Sequence, residues 1–142
     1  MNLPDTVKVF SEDETSNLAI EFSKMIKNSD LIILNGDLGT GKTFFVKALA
    51  KNFGIANVSS PTFAIVNEYY GSKKIYHFDF YRIEKATELF DIGFNDYLND
   101  GEAITFIEWG NLFPEVFPEK RIEVNISMNE DLSRNFEIKK YE

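Results

Sequence analysis

The chain has 142 residues, 44% hydrophobic and 27% charged, the size and balance of one globular domain spanning residues 1–142. Its 14 Phe, 6 Tyr and 1 Trp carry too much buriable area for a disordered chain, and 15 basic against 23 acidic side chains give a net charge of −8, the reverse of a surface that coats nucleic acid. With three arginines (Arg82, Arg121, Arg134), no cysteine and one histidine, His77, an Arg-rich phosphate reader, a disulfide framework, a thiolate metal site and a multi-histidine cluster are all excluded.

The first ten residues show no basic stretch leading into an apolar one, and no apolar run approaches the roughly 20 residues of a membrane span, so a cytoplasmic chain without a membrane partner is expected. Val7 to Phe10 reads as a short strand. Ser11-Glu12-Asp13-Glu14 has capping-box spacing, and Leu18, Phe22, Met25 and Ile26 follow at helical intervals, predicting a helix to about Asn28. Leu31 to Leu34 is a continuous β-rich run, as in a strand covered on both faces of a parallel sheet. A glycine loop follows, and from Thr43 the positions Val46, Leu49, Ala50 and Phe53 predict a second helix, with Gly54 at its C′ position. Further strands are predicted at Phe63–Glu68, Lys74–Phe80 and Ala103–Glu108, with a short helix around Lys85–Phe90. Arg121–Ser127 and Asn135–Lys140 alternate cleanly and predict an antiparallel hairpin around Asn129–Ser133. The expected fold is α/β, a three-layer domain with a mixed, mostly parallel sheet and a C-terminal antiparallel hairpin.

Gly36-Asp37-Leu38-Gly39-Thr40-Gly41-Lys42-Thr43 matches G-x-x-x-x-G-K-[ST] in full, where this composition gives about 0.004 chance matches. The strand before it and the helix after it make the unit P-loop NTPase-like. Glycines let successive N–H groups surround a phosphate at a helix N-terminus. The Lys42 ammonium is expected to reach the β- and γ-phosphates and the Thr43 hydroxyl to be a ligand of Mg²⁺. A plain glycine turn capped by Thr43 would have no use for the lysine.

A phosphate loop needs an acidic partner at the end of a neighbouring buried strand. Glu108 and Asp79 stand at such ends, and each reads equally well as an exposed strand-end carboxylate. Strand period puts His77 on the Asp79 face; His77 reads as a hydrogen-bonded core histidine rather than as a base. Trp109 suits either core packing or contact with a nucleotide or partner. Thr62, within Ser60-Pro61-Thr62-Phe63, lies 19 residues beyond Thr43, where a switch threonine would stand; a Pro turn capped by its hydroxyl is the simpler reading.

The loop, Ser60-Pro61-Thr62-Phe63, His77-Phe78-Asp79-Phe80-Tyr81-Arg82 and Glu108-Trp109, in this order and spacing, resemble the bacterial TsaE (YjeE) family over essentially the whole chain. The resemblance implies an ATPase that supports threonylcarbamoylation of the adenosine beside the anticodon in tRNAs reading codons that start with A. It implies an assembly with a TsaD-type transferase subunit and a TsaB-type paralogue, and contact with tRNA only through them. Asp37, Leu38, Gly39, Thr40, Gly41, Lys42 and Thr43 would then hold ATP, and Thr43 and Glu108 would bind or position Mg²⁺. Thr62 would sense the γ-phosphate, Asp79 would serve hydrolysis, and Trp109 would lie by the nucleotide or the partner. The family's N-terminal Ser/Thr segment near adenine is matched by Ser11 to Thr15, where Ser11 also suffices as a helix cap; Arg134 is expected to approach the nucleotide. Many relatives carry an acidic or amide residue after Glu-Trp; here Gly110-Asn111 stands there, and Asn111 supplies no carboxylate.

Two other functions compete. A small-molecule kinase shares the loop, but no Arg-rich lid segment stands between Tyr81 and Gly101. A non-catalytic binding module would use ATP only to order residues 60–63 for a partner. A GTPase is disfavoured because no Asn-Lys-x-Asp tetrapeptide occurs.

Overall fold

Alternate residues of the central strands feed two different cores, and this places the sheet between two layers. The computed structural model describes residues 5–37, 39–59 and 65–142. In β2 (Leu31–Asn35), Ile32 and Leu34 pack with helices α1 (Glu12–Met25) and α2 (Lys42–Lys51), while Leu31 and Ile33 face the other way. β4 (Lys74–Asp79) and β5 (Ala103–Glu108) divide likewise: Ile75, Ile104 and Phe106 join the first core, Tyr76, Phe78 and Ile107 the second. The second core is closed by the short helices α3 (Thr87–Asp91) and α4 (Phe94–Leu98) and by two 3₁₀ turns, Gly110–Leu112 and Pro114–Val116.

Among the described residues seven strands form one sheet in the order β1-β7-β6-β2-β5-β4-β3. The four central strands β6 (Arg121–Met128), β2, β5 and β4 run parallel. Antiparallel pairs close both margins: β3 (Val66–Tyr70) on β4, and β7 (Arg134–Tyr141) between β6 and β1 (Asp5–Val9). The expected three-layer α/β architecture with a C-terminal hairpin is thus the one observed. Fully buried Phe22, Phe45 and Phe136 pack ring to ring under α1 and α2; truncating such a ring to alanine typically costs about 3–5 kcal/mol. Among the described residues no helix is long and apolar enough to cross a membrane.

Several element ends differ from expectation for local reasons. The first strand occupies Asp5–Val9 rather than Val7–Phe10, because it is fixed by pairing with β7, not by its own hydrophobicity. α1 stops at Met25, short of Asn28: Ile26 is already extended, Asp30 Oδ2 accepts from the Lys27 N–H at 2.8 Å, and Ser29 takes a left-handed φ of 71°. α2 stops at Lys51, and the turn after it closes at the expected Gly54, whose φ is 79°; the Ile55 N–H donates to Ala50 O and the Gly54 N–H to Lys51 O, a Schellman pattern. β3 lies later than the expected Phe63–Glu68, and residues 60–64, with Thr62, lie outside the described residues, as does Leu38. α4 had not been expected; it enters through Gly93 at φ 79°.

Candidate functional site

Parallel packing of β2, β5 and β4 brings their C-terminal ends to one edge of the sheet, the position where α/β sheets bind ligands. The pairing sets Leu34 opposite Glu108 and Glu108 opposite Asp79. β2 therefore releases its glycine loop directly beside both strand-end carboxylates. α2 starts from Gly41, at φ 102° and with no side-chain cap, so the N-terminal end of the helix faces the edge where an anion would sit.

Within the loop, Thr40 Oγ1 donates to Asp37 O at 2.8 Å. The Lys42 ammonium is folded back, donating to Gly36 O at 2.6 Å and to Asp37 O at 3.0 Å, and stands 4.2 Å from the centroid of the Trp109 ring. Only 5% of Lys42 is exposed. Burial lowers its pKa, against the pull of Glu108, Asp79 and Asp37, whose negative charges favour the ammonium.

Thr43 opens α2 on the face that covers β5, and its hydroxyl meets the Glu108 carboxylate at 3.0 Å from Oε1 and 2.9 Å from Oε2. Glu108 is buried and also meets His77 Nε2 at 2.6 Å. Asp79, half-buried, accepts from the Tyr81 N–H at 2.9 Å. Burial pushes the Asp79 carboxyl upward, and Glu108 adds to the rise, whereas the Tyr81 N–H, His77 and Lys42 oppose it. Trp109 takes a left-handed φ of 61°, which turns its ring back over Lys42 and onto Tyr81, 5.0 Å between centroids. The turn depends on the next residue, because a Cβ on Gly110 would lie 2.7 Å from Ile33 Cγ2 and 2.8 Å from Phe117 Cζ.

Gly39, Gly41, Lys42 and Thr43 form one wall of a cleft of about 300 Å³ whose other wall is Asp79, Glu108 and Trp109, with Tyr81 and Phe44 between them. The structure thus brings together the loop, both carboxylates and the tryptophan singled out in the sequence. Ser11 and Arg134 do not line this cleft; they line a second one of about 190 Å³ with Phe10, Glu12 and Leu132. Ser11 caps α1, its Oγ accepting from the Glu14 N–H at 3.1 Å. Arg134 reaches the loop from behind: its Nη1 is 3.4 Å from the point where a Cβ on Gly41 would stand. Tyr81 and Phe44 were not among the predicted site residues; Tyr81 stood inside the motif from His77 to Arg82 and offered a signal, whereas Phe44 reads as an ordinary helix residue.

Among the described residues no three His, Cys, Asp or Glu side chains converge as a metal cage. The donors at hand are hard oxygens, the Thr43 hydroxyl and the Glu108 and Asp79 carboxylates. That set suits Mg²⁺ that keeps most of its waters and shares phosphate oxygens, and it does not suit a soft or fully protein-ligated ion. The loop amides and Lys42 suit the phosphates themselves.

Residues 9–136 match the family model described as "Threonylcarbamoyl adenosine biosynthesis protein TsaE". The chain is 38% identical over 133 residues to the tRNA threonylcarbamoyladenosine biosynthesis protein TsaE of Rickettsia typhi, covering 92% of this chain and 91% of that one. It is 36% identical over 129 residues to the protein of the same name from Bacillus subtilis, covering 89% of this chain and 80% of that one. Among solved structures, the crystal structure of YdiB from Bacillus subtilis superposes with a TM-score of 0.82 at 28% identity, covering 100% of this chain and 90% of that one.

Proposed function

The chain belongs to the TsaE family of threonylcarbamoyladenosine biosynthesis proteins, and on that premise we propose that it is an Mg²⁺-dependent ATPase subunit of the machinery that threonylcarbamoylates the adenosine beside the anticodon of tRNA. The observation that carries this reading is the contact of Thr43 with Glu108, because it joins a phosphate loop to the acid on the adjacent parallel strand.

In this reading the amides from Asp37 to Thr43 cradle the phosphates, and Lys42 leaves the carbonyls of Gly36 and Asp37 for the β- and γ-phosphate oxygens. Thr43 and Glu108 hold Mg²⁺ or its waters. When bound, the ion neutralises charge on the transferring phosphoryl group. Asp79 orients the attacking water; its burial moves the carboxyl toward the range in which it takes up a proton. Trp109 and Tyr81 shield the cleft from bulk water, and Thr62 senses the γ-phosphate. Ser11 and Arg134 contact the rest of the nucleotide. With a net charge of −8 the chain leaves tRNA to its partners, a TsaD-type transferase subunit and a TsaB-type paralogue, in the cytoplasm.

The test is multiple-turnover threonylcarbamoylation of tRNA by the purified partners, with and without this chain. Lys42→Ala and Asp79→Ala should each remove the stimulation while remaining folded; undiminished turnover with both variants would overturn the proposal. Full turnover on a non-hydrolysable ATP analogue would favour a binding module instead. ATP consumption matched by phosphorylation of an added metabolite would favour a kinase.

A further inference from the structure

Glu108 closes β5 facing α2, and its two oxygens are held from two sides. The Thr43 hydroxyl bridges them at 3.0 and 2.9 Å, and His77 Nε2 lies 2.6 Å from Oε2. The histidine reaches its partner diagonally: β4 and β5 pair Asp79 with Glu108 and His77 with Phe106, so His77 stands two residues back on the same face. Its side chain has no exposure to solvent, and that of Glu108 has 4%. A carboxylate accepts only, so Nε2 carries the proton that is donated. Nδ1 is buried without a partner among the described residues, so the hydrogen bond that holds the ring is the one from Nε2.

The two holds on Glu108 differ in permanence. Thr43 belongs to the phosphate loop, and its oxygen is the one that turns to a cation when the cleft fills. His77 belongs to the sheet, is not among the residues that line the cleft, and makes its side-chain hydrogen bond to Glu108. We propose that His77 is a positioning residue whose Nε2–H pins Glu108 Oε2, keeping the carboxylate aimed at Thr43 and leaving Oε1 for the divalent cation or its waters. This rests on the reading of the cleft as an Mg²⁺–nucleotide site. A histidine that ties down a metal-directed carboxylate from the layer behind it typically governs metal affinity by about 10- to 100-fold.

The test uses the full chain with an ATP analogue, and Mn²⁺ in place of Mg²⁺ so that bound metal is counted by electron paramagnetic resonance. His77→Leu fills the space and donates nothing; His77→Gln carries an amide N–H at the reach of Nε2; the shorter His77→Asn does not reach. His77→Leu and His77→Asn should weaken Mn²⁺ binding about 10- to 100-fold, and His77→Gln should restore most of it. Nucleotide affinity in EDTA should stay within about twofold for every variant, because His77 does not line the cleft. Equal Mn²⁺ affinity in the Gln and Asn variants, unchanged affinity in the Leu variant, or an equal loss in EDTA would overturn the proposal. If His77→Leu does not fold, the Gln and Asn pair decides alone. Wild-type protein that binds no Mn²⁺ with the analogue would instead overturn the reading of the cleft, and the positioning role with it.

Discussion

Alanine at Gly36 and alanine at Gly39 act on the phosphate loop by different physics and should differ in size. A Cβ on Gly36 would lie 2.6 Å from Ile126 O and 2.7 Å from Thr40 Oγ1. The threonine can turn away, but the Ile126 carbonyl belongs to β6, held by its pairing with β7, so the loop must move. Opening that contact to an ordinary 3.4 Å means a shift of about 0.8 Å. Overpacking against backbone costs about 1–3 kcal/mol, and the upper half of that range is expected here. Gly39 has nothing within 4 Å of its would-be Cβ but sits at φ 80°, where alanine costs about 1 kcal/mol from left-handed backbone alone. Urea unfolding should therefore give Gly36→Ala a loss of about 2–3 kcal/mol and Gly39→Ala about 1 kcal/mol, with equal slopes. Since Gly36 O also receives the Lys42 ammonium, the shift carries Lys42 with it, and ATP affinity should fall about tenfold or more in Gly36→Ala. Equal stability losses, a larger loss at Gly39, or intact ATP affinity in Gly36→Ala would refute this account.

Trp109 should report nucleotide entry: its ring faces the Lys42 ammonium at 4.2 Å, so drawing Lys42 to a phosphate must change its fluorescence, and Lys42→Met should abolish the response. Ser11→Ala removes the cap of α1 and should cost about 1 kcal/mol, lowering the melting temperature by about 3–5 °C; an unchanged melting curve would deny the cap its role. Hydrogen bonds from Lys74, from Tyr76 and from the Glu102 N–H hold the Asp100 carboxyl down at about 2. A depressed carboxyl stabilises the fold above its unfolded pKa, and that contribution is lost as pH falls from about 4 to about 2. Asp100→Asn should flatten the stability profile across that interval. Asp79→Asn should stop hydrolysis yet bind metal-free ATP about 3- to 10-fold more tightly, because it removes a negative charge from the cleft. The gain should shrink toward acid pH, where the raised Asp79 carboxyl is already neutral; weaker binding at pH 8 would contradict it.

What the sequence discloses and what it withholds follow the range of the forces involved. The phosphate loop is legible because glycine, lysine and threonine spacing is a local requirement, and Ser11 as a cap is legible for the same reason. Strand period alone set His77 and Asp79 on one face, as observed. That Glu108 and Asp79 become neighbours, and that His77 reaches Glu108, depends on strand order, which residue patterns do not encode. The meeting of Ser11 and Arg134 likewise depends on β1 pairing with β7, which sets Val9 opposite Arg134 across most of the chain length. α4 is not legible in the sequence because five residues are too short to display a helical period. The end of α1 is not legible in the sequence because a polar tail, Lys27 to Asp30, turns on its own side-chain hydrogen bond.

The acidity that argues against a nucleic-acid surface acts differently inside the cleft. Asp37, Asp79 and Glu108 surround Lys42, and three formal negative charges around one ammonium would repel a triphosphate that arrived alone. The same carboxylates oppose the effect of burial on the lysine, which lowers its pKa, and so favour its ammonium form. Lys42 is partnered by two carbonyls and an indole ring, each a weaker partner for an ammonium than a phosphate oxygen. Under the proposed function, a triphosphate that entered with its own divalent cation would offset this repulsion, and the contact of Thr43 with Glu108 brings together oxygen donors suited to that cation. On the proposed function, a metal–nucleotide pair would take the place of these partners of Lys42 and would be favoured over a phosphate ester arriving without a metal.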